Sequence, residues 1–117
     1  MRFFKSEEFN CPCCNDQHMD FDTIDMLISA RVFADVPFII TSGWRCEKHN
    51  KSKKVGGKKD SSHLYGKAVD ISAPNSRTKF NIVYGLIYAG FTRIGIGKTF
   101  IHADTDHNKD AKVLWLY

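Results

Sequence analysis

Apolar positions along this chain change period several times, and each change marks an element. Asp20 or Asp22 can cap a helix by accepting unpaired backbone N–H groups. Behind them Ile24, Leu27, Ile28 and Val32 recur at helical spacing through about Phe33. Pro37 then closes the pattern. The run Pro37-Phe-Ile-Ile-Thr-Ser42 is short, apolar and β-branched, and predicts a buried strand; Ala68-Val-Asp-Ile71 predicts another. Asn75 or Ser76 caps a further helix, in which Phe80, Val83, Tyr84 and Ile87 form one apolar face and Gly90 supplies the stop. Residues 93–96, 100–103 and 113–116 complete a set of short strands. Residues 1–19 read as irregular, and there are no repeats or low-complexity tracts. The expectation is an α+β fold: a small, mostly antiparallel sheet with two helices packed on one side.

A length of 117 residues, 43% of them hydrophobic and 26% charged, predicts one globular domain over 1–117. That leaves no room for a second domain, so an active site must use the loops and strand ends of this one. The opening Met1-Arg-Phe-Phe-Lys-Ser-Glu-Glu-Phe9 lacks a secretory signal pattern, and no run approaches the roughly 20 apolar residues of a membrane span. The expectation is a product made in the cytoplasm, reaching any cell-wall target only after release or delivery. The net charge is +4. Between 45 and 59, Arg45, Lys48, Lys51, Lys53, Lys54, Lys58 and Lys59 face one acid, Glu47. Such a stretch attracts nucleic acid, anionic lipid or an anionic wall, or simply forms a solvated loop. It lacks the interleaved aromatics of a base-stacking surface, which counts against nucleic acid.

Two segments carry chemistry. Ser61-Ser-His-Leu-Tyr-Gly-Lys-Ala-Val-Asp-Ile71 has the form Ser-x-His-x-x-Gly-x-Ala-x-Asp: a histidine in a polar loop, a glycine for the turn, then a strand carrying one carboxylate. A charge placed among Ala68, Val69 and Ile71 must be paired, well hydrogen-bonded or metal-bound. In Phe100-Ile-His-Ala-Asp104, strand alternation sends His102 and Asp104 to one face. Two imidazoles and a carboxylate with one open position suit a catalytic zinc. Residue spacing equally allows satisfied structural polar groups.

Together with Ile40-Thr-Ser-Gly-Trp-Arg45 and Ile101-His-Ala-Asp104, that motif makes the chain resemble the zinc D-Ala-D-Ala carboxypeptidase family. That family belongs to the superfamily of lysostaphin, D-Ala-D-Ala peptidases and the hedgehog domain. The likeness is nearest to the small single-domain branch found in phage lysis enzymes, and it runs from Glu8 to Trp115. It implies zinc held by His63, Asp70 and His102. It also implies hydrolysis of amide bonds in peptidoglycan peptides, by a carboxypeptidase or an endopeptidase. Arg45 matches the substrate-binding arginine, which can clamp a carboxylate or a polarised carbonyl, and Ser61 either touches substrate or caps a turn. Many members place an acid three residues before the third ligand, where this chain has Thr99. Asp104 stands in as general base or as a partner that fixes a ligand imidazole, with Asp106 and His107 as lesser candidates. That departure leaves room for a zinc-bearing binding module without catalysis. The basic 45–59 loop leaves room for a polyanion-binding protein. No motif sets an oligomeric state.

The four cysteines stand at 11, 13, 14 and 46. Cys11-x-x-Cys14 with Cys46-x-x-His49 suggests a structural zinc site. Reduced buried thiols, or a disulfide formed in an oxidising compartment, are the alternatives. The spacing gives Cys13 no role, which counts against the second zinc.

Overall fold

The structure is a computed structural model, and it describes residues 3–52 and 55–117. Helix α1 (Phe21–Ala34) starts where Asp20 accepts from Thr23 N at 3.1 Å and ends at Asp35, whose φ of 55° is left-handed. Strand β1 (Ile40–Ser42) follows, then the short helix α2 (Glu47–Lys51) and β2 (Ala68–Ser72). Helix α3 (Ser76–Tyr88) is capped by Asn75 and followed by Gly90 at φ +104°. Strands β3 (Arg93–Ile96), β4 (Phe100–Asp104) and β5 (Val113–Leu116) complete the chain. They form one five-stranded sheet in the order β1-β2-β4-β3-β5, antiparallel except for the β3–β5 pair. The fold is the expected α+β, with α1 and α3 packed together over one face of the sheet.

Alternation along the strands sorts the two faces. Val69, Ile71, Ile94, Ile101 and Ala103 point to the helices and are buried with Leu27, Phe38, Ile82 and Leu86. Each such large side chain taken from water contributes about 1.5–3 kcal/mol. The opposite face carries a single row in register across all five strands: Ser42, Asp70, His102, Gly95 and Trp115. One face builds the core and the other displays polar groups.

Three details differ from the sequence reading. Strand β1 spans Ile40–Ser42 and not 37–42, because Pro37 has no N–H to donate and Ile39 is exposed. Helix α2, inside the basic stretch, is an addition. The face of α3 that packs is Ile82, Gly85 and Leu86 with Val83 at its edge, while Phe80, Tyr84 and Ile87 are exposed. Gly85 decides this: a Cβ there would meet Ala34 Cβ at 2.7 Å, so the missing side chain lets α3 approach α1 closely. Val32 of α1 is exposed for the same reason, with Ala30 and Ala34 inside. The displaced aromatics contact one another along the outside, Phe80–Tyr84 at 6.4 Å, Tyr84–Tyr88 at 5.8 Å and Phe33–Tyr88 at 4.4 Å between ring centroids. Among the described residues, no helix is long and apolar enough to cross a membrane.

Candidate metal centre

The polar row places Asp70 opposite His102, on adjacent antiparallel strands. His63 reaches them from the 3-10 turn Ser62–Tyr65. Ser61 caps that turn through its hydroxyl, which accepts from His63 N at 3.3 Å. Gly66 ends it at φ +70° with its N–H on His63 O. Any Cβ at 66 would collide with the His18 carbonyl, so the glycine of the motif is required twice over.

His63 Nε2 lies 3.5 Å and His102 Nδ1 3.1 Å from Asp70 Oδ1. One ligand atom from each of the three residues falls within 4.8 Å of the others. Their outer contacts set the tautomers. His63 Nδ1 lies 2.8 Å from Gly43 O, which can only accept, so Nδ1 carries the proton and Nε2 offers its lone pair. His102 Nε2 donates to Asp104 Oδ2 at 2.7 Å and leaves Nδ1 facing inward. The three sequence-predicted ligands therefore meet, each presenting a donor atom of the N/N/O set that zinc takes. A carboxylate behind a ligand imidazole is how such rings are held on a metal.

Charge in the cluster is strongly redistributed. Burial pushes the Asp70 carboxyl up, but hydrogen bonds and charge from His102 and His63 outweigh it and hold it well below the usual carboxylate range. Burial pushes His102 down, yet hydrogen bonds to Asp104 and Asp70 carry it above an ordinary histidine. Asp104 is likewise raised by burial and lowered further by His102, the Asp106 N–H and Arg93, ending below normal. Two carboxylates around one imidazole make a negative pocket, which a cation relieves.

Asp104 is 2% exposed and both its oxygens are engaged: Oδ2 by His102, Oδ1 by Arg93 Nε at 2.8 Å and Asp106 N at 3.2 Å. This geometry suits holding the His102 ring better than collecting a proton from water. Asp106 is turned to Ser62 Oγ at 2.7 Å, and His107 is exposed outside the cleft. Thr99 is exposed, with its carbonyl accepting from Ala73 N.

The His63–Asp70–His102 cluster floors a cleft of about 600 Å³ whose walls include Arg45, Lys58, Arg93, Trp115 and Tyr117. The Arg45 side chain is 14% exposed, and burial lowers its pKa while Asp70 opposes that. It donates to Ser42 Oγ at 3.1 Å, Asn50 Oδ1 at 3.3 Å and Asp70 Oδ2 at 3.4 Å, so it is no surface salt bridge. Of the five N–H groups on a guanidinium, two remain for a substrate. In the basic stretch Lys51 pairs with Glu47 at 3.0 Å and Lys58 lines the cleft, while Lys53 and Lys54 lie outside the described residues.

The sequence reading missed several contributors. Asn50 is 1% exposed and ties Arg45 to the loop through Lys58 O at 2.8 Å. A lone buried amide in a basic helix carries no sequence signal. Arg93 and Trp115 share the polar row's face, and the alternation that found His102 could have found them. The Arg93 guanidinium lies 5.2 Å from the Trp115 ring, and that ring is 5.5 Å from His102. Gly95 makes room for the indole, since a Cβ there would lie 2.5 Å from Trp115 Nε1.

The cysteine readings divide. Cys11, Cys14 and Cys46 present sulfurs within 4.8 Å of one another. His49 is not part of that group and instead gives its backbone N–H to Cys46 Sγ at 3.4 Å.

Against known proteins, a family model described as Peptidase M15 matches residues 2–104, a stretch that contains His63, Asp70, His102 and Arg45. No curated protein matches the chain.

Proposed function

Because the chain belongs to the M15 family of zinc-dependent peptidases, we propose that it cleaves amide bonds in bacterial peptidoglycan peptides, as a D-Ala-D-Ala carboxypeptidase or endopeptidase of the phage-endolysin type. One observation carries this reading: His63 Nε2, Asp70 Oδ1 and His102 Nδ1 converge at the floor of an open cleft. Zinc held there would supply a bound water with its pKa lowered to about 7 and polarise the scissile carbonyl. The rest falls to this chain's own groups. His63 and His102 are oriented by Gly43 O and Asp104. Arg45 offers its two spare N–H groups to a substrate carboxylate or carbonyl oxygen, and Lys58, Arg93 and Lys109 bias the cleft toward acidic peptides. Asp70 is committed to the ligand cluster and Arg45, and Asp104 to His102, Arg93 and the Asp106 N–H, so neither carboxylate has an oxygen free to take a proton from water.

The zinc-loaded protein incubated with purified sacculi should release new amino termini, and mass spectrometry of the fragments names the bond. His63→Ala should abolish that release along with the cleft metal; release surviving the substitution intact defeats the proposal. A second reading, a zinc-bearing wall-binding module, is favoured by Thr99 at the usual acid position and by the full engagement of Asp104. Sacculus binding without fragment release would select it.

A further inference from the structure

Three of the chain's four cysteines, Cys11, Cys14 and Cys46, bring their sulfurs within 4.8 Å of one another, although 35 residues separate Cys11 from Cys46, and Cys13 stands at the edge of the group. Cys11 is buried, and its loop is folded back by Cys11 N on Asp16 O at 2.8 Å and Asn15 N on Cys11 O at 2.8 Å, with Asn15 at φ 56°. Phe9 O accepts from Trp44 N at 3.0 Å, which brings this loop against the segment carrying Cys46. Cys11 Sγ and Cys46 Sγ are 3.6 Å apart. Cys46 lies in the field of the other three thiols, closest to Cys11 and with Cys14 also within 4.8 Å. Cys13, which the residue spacing left without a role, leans on Cys46, and Cys14 leans on Cys11.

A thiol is a weak donor and a weak acceptor, so mutual hydrogen bonds give little reason for four to gather. Two disulfides would draw the sulfurs into separate pairs at about 2.05 Å. Here three free sulfurs share one space, all within 4.8 Å of one another. Four sulfurs around a tetrahedral zinc, each about 2.3 Å from it, lie about 3.8 Å from one another, close to the Cys11–Cys46 separation. We propose that Cys11, Cys14 and Cys46, closed by Cys13, form a second, structural zinc site that fastens the N-terminal loop to the segment bearing Arg45. Soft thiolates select zinc over the hard cations that oxygen ligands favour. Cys46 directly follows Arg45, whose backbone N–H binds His63 O at 3.1 Å. Metal at the thiols would thus steady the arginine side of the cleft without touching the catalytic ligands.

The test uses His63→Ala/His102→Ala protein, purified under reducing conditions with zinc present, so that the cleft site is disabled whatever its function. One zinc equivalent should remain and be released in step as an organomercurial titrates the thiols. Cobalt in its place should give a thiolate-to-metal charge-transfer band. Cys46→Ser should remove that band, Cys13→Ser should weaken it, and His49→Ala should leave it unchanged. No retained metal, or free thiols already consumed in disulfides, overturns the site. A band lost in His49→Ala and kept in Cys13→Ser overturns the proposed ligand set. Because the thiol titration needs no cysteine variant, misfolding of a serine substitution cannot hide the answer.

Discussion

The His63–Asp70–His102 cluster and the cysteine cluster gather metal-ligating side chains by opposite means. In the first, strand register does the work: Asp70 and His102 are paired across β2 and β4, and the outer hydrogen bonds of Gly43 and Asp104 fix both rings. In the second, the N-terminal loop and the start of α2 are brought together by a backbone contact, Trp44 N on Phe9 O, and His49 N donates to Cys46 Sγ from outside the cluster. The lesson is that a sheet can pre-form a site before any ion arrives, whereas a loop site depends on the ion to hold its shape.

The most severe way to test this contrast is Asp70→Ala. It should bring peptidase activity to background and remove the cleft metal while the sheet still folds, with the melting temperature lowered by loss of the ion and of the Asp70 pairing to His63, His102 and Arg45; metal content and thermal unfolding together check it. Arg45→Ala comes next. Loss of a charge-assisted hydrogen bond of about 1.5–3 kcal/mol predicts kcat/KM lower by about 10- to 150-fold with metal content unchanged. Asp104→Asn should weaken zinc binding or activity about 10- to 100-fold, measured by competition with a chelator. An abolished rate with zinc fully retained would instead make Asp104 the base.

The smallest effect is one of pH, in chelator-treated protein. Folding raises His102 above its usual value, so its contribution to stability is complete below about pH 6.5. It is lost as pH climbs through the raised value. Asp70, lowered on folding, contributes above its ordinary value and loses that contribution as pH falls through the lowered one. The melting temperature of metal-free protein should therefore fall from neutral toward alkaline pH, and His102→Gln should flatten that slope.

Sequence legibility follows the same division. The period-2 pattern of β2 and β4 exposed Asp70, His102 and Asp104 as polar intrusions on apolar strands, and capping residues located α1 and α3 within a residue or two. Periodicity could not say which stripe of α3 enters the core. Phe80, Tyr84 and Ile87 are spaced as well as Ile82 and Leu86, with Val83 packed at the edge of the core, and only the fit of Gly85 against Ala34 decides between the stripes. The role of Asn50 was equally out of reach, since it depends on a loop path that no local spacing encodes.

Strand β5 hydrogen-bonds to β3 alone, yet it brings Trp115 to the cleft, with Tyr117 just beyond it. Both lie past the stretch that matches the family. One flank of the cleft is thus built by the terminal ribbon, and replacing residues 113–117 would reshape what the cleft admits. The three ligands, their carboxylate and carbonyl supports, and the arginine would all stay in place.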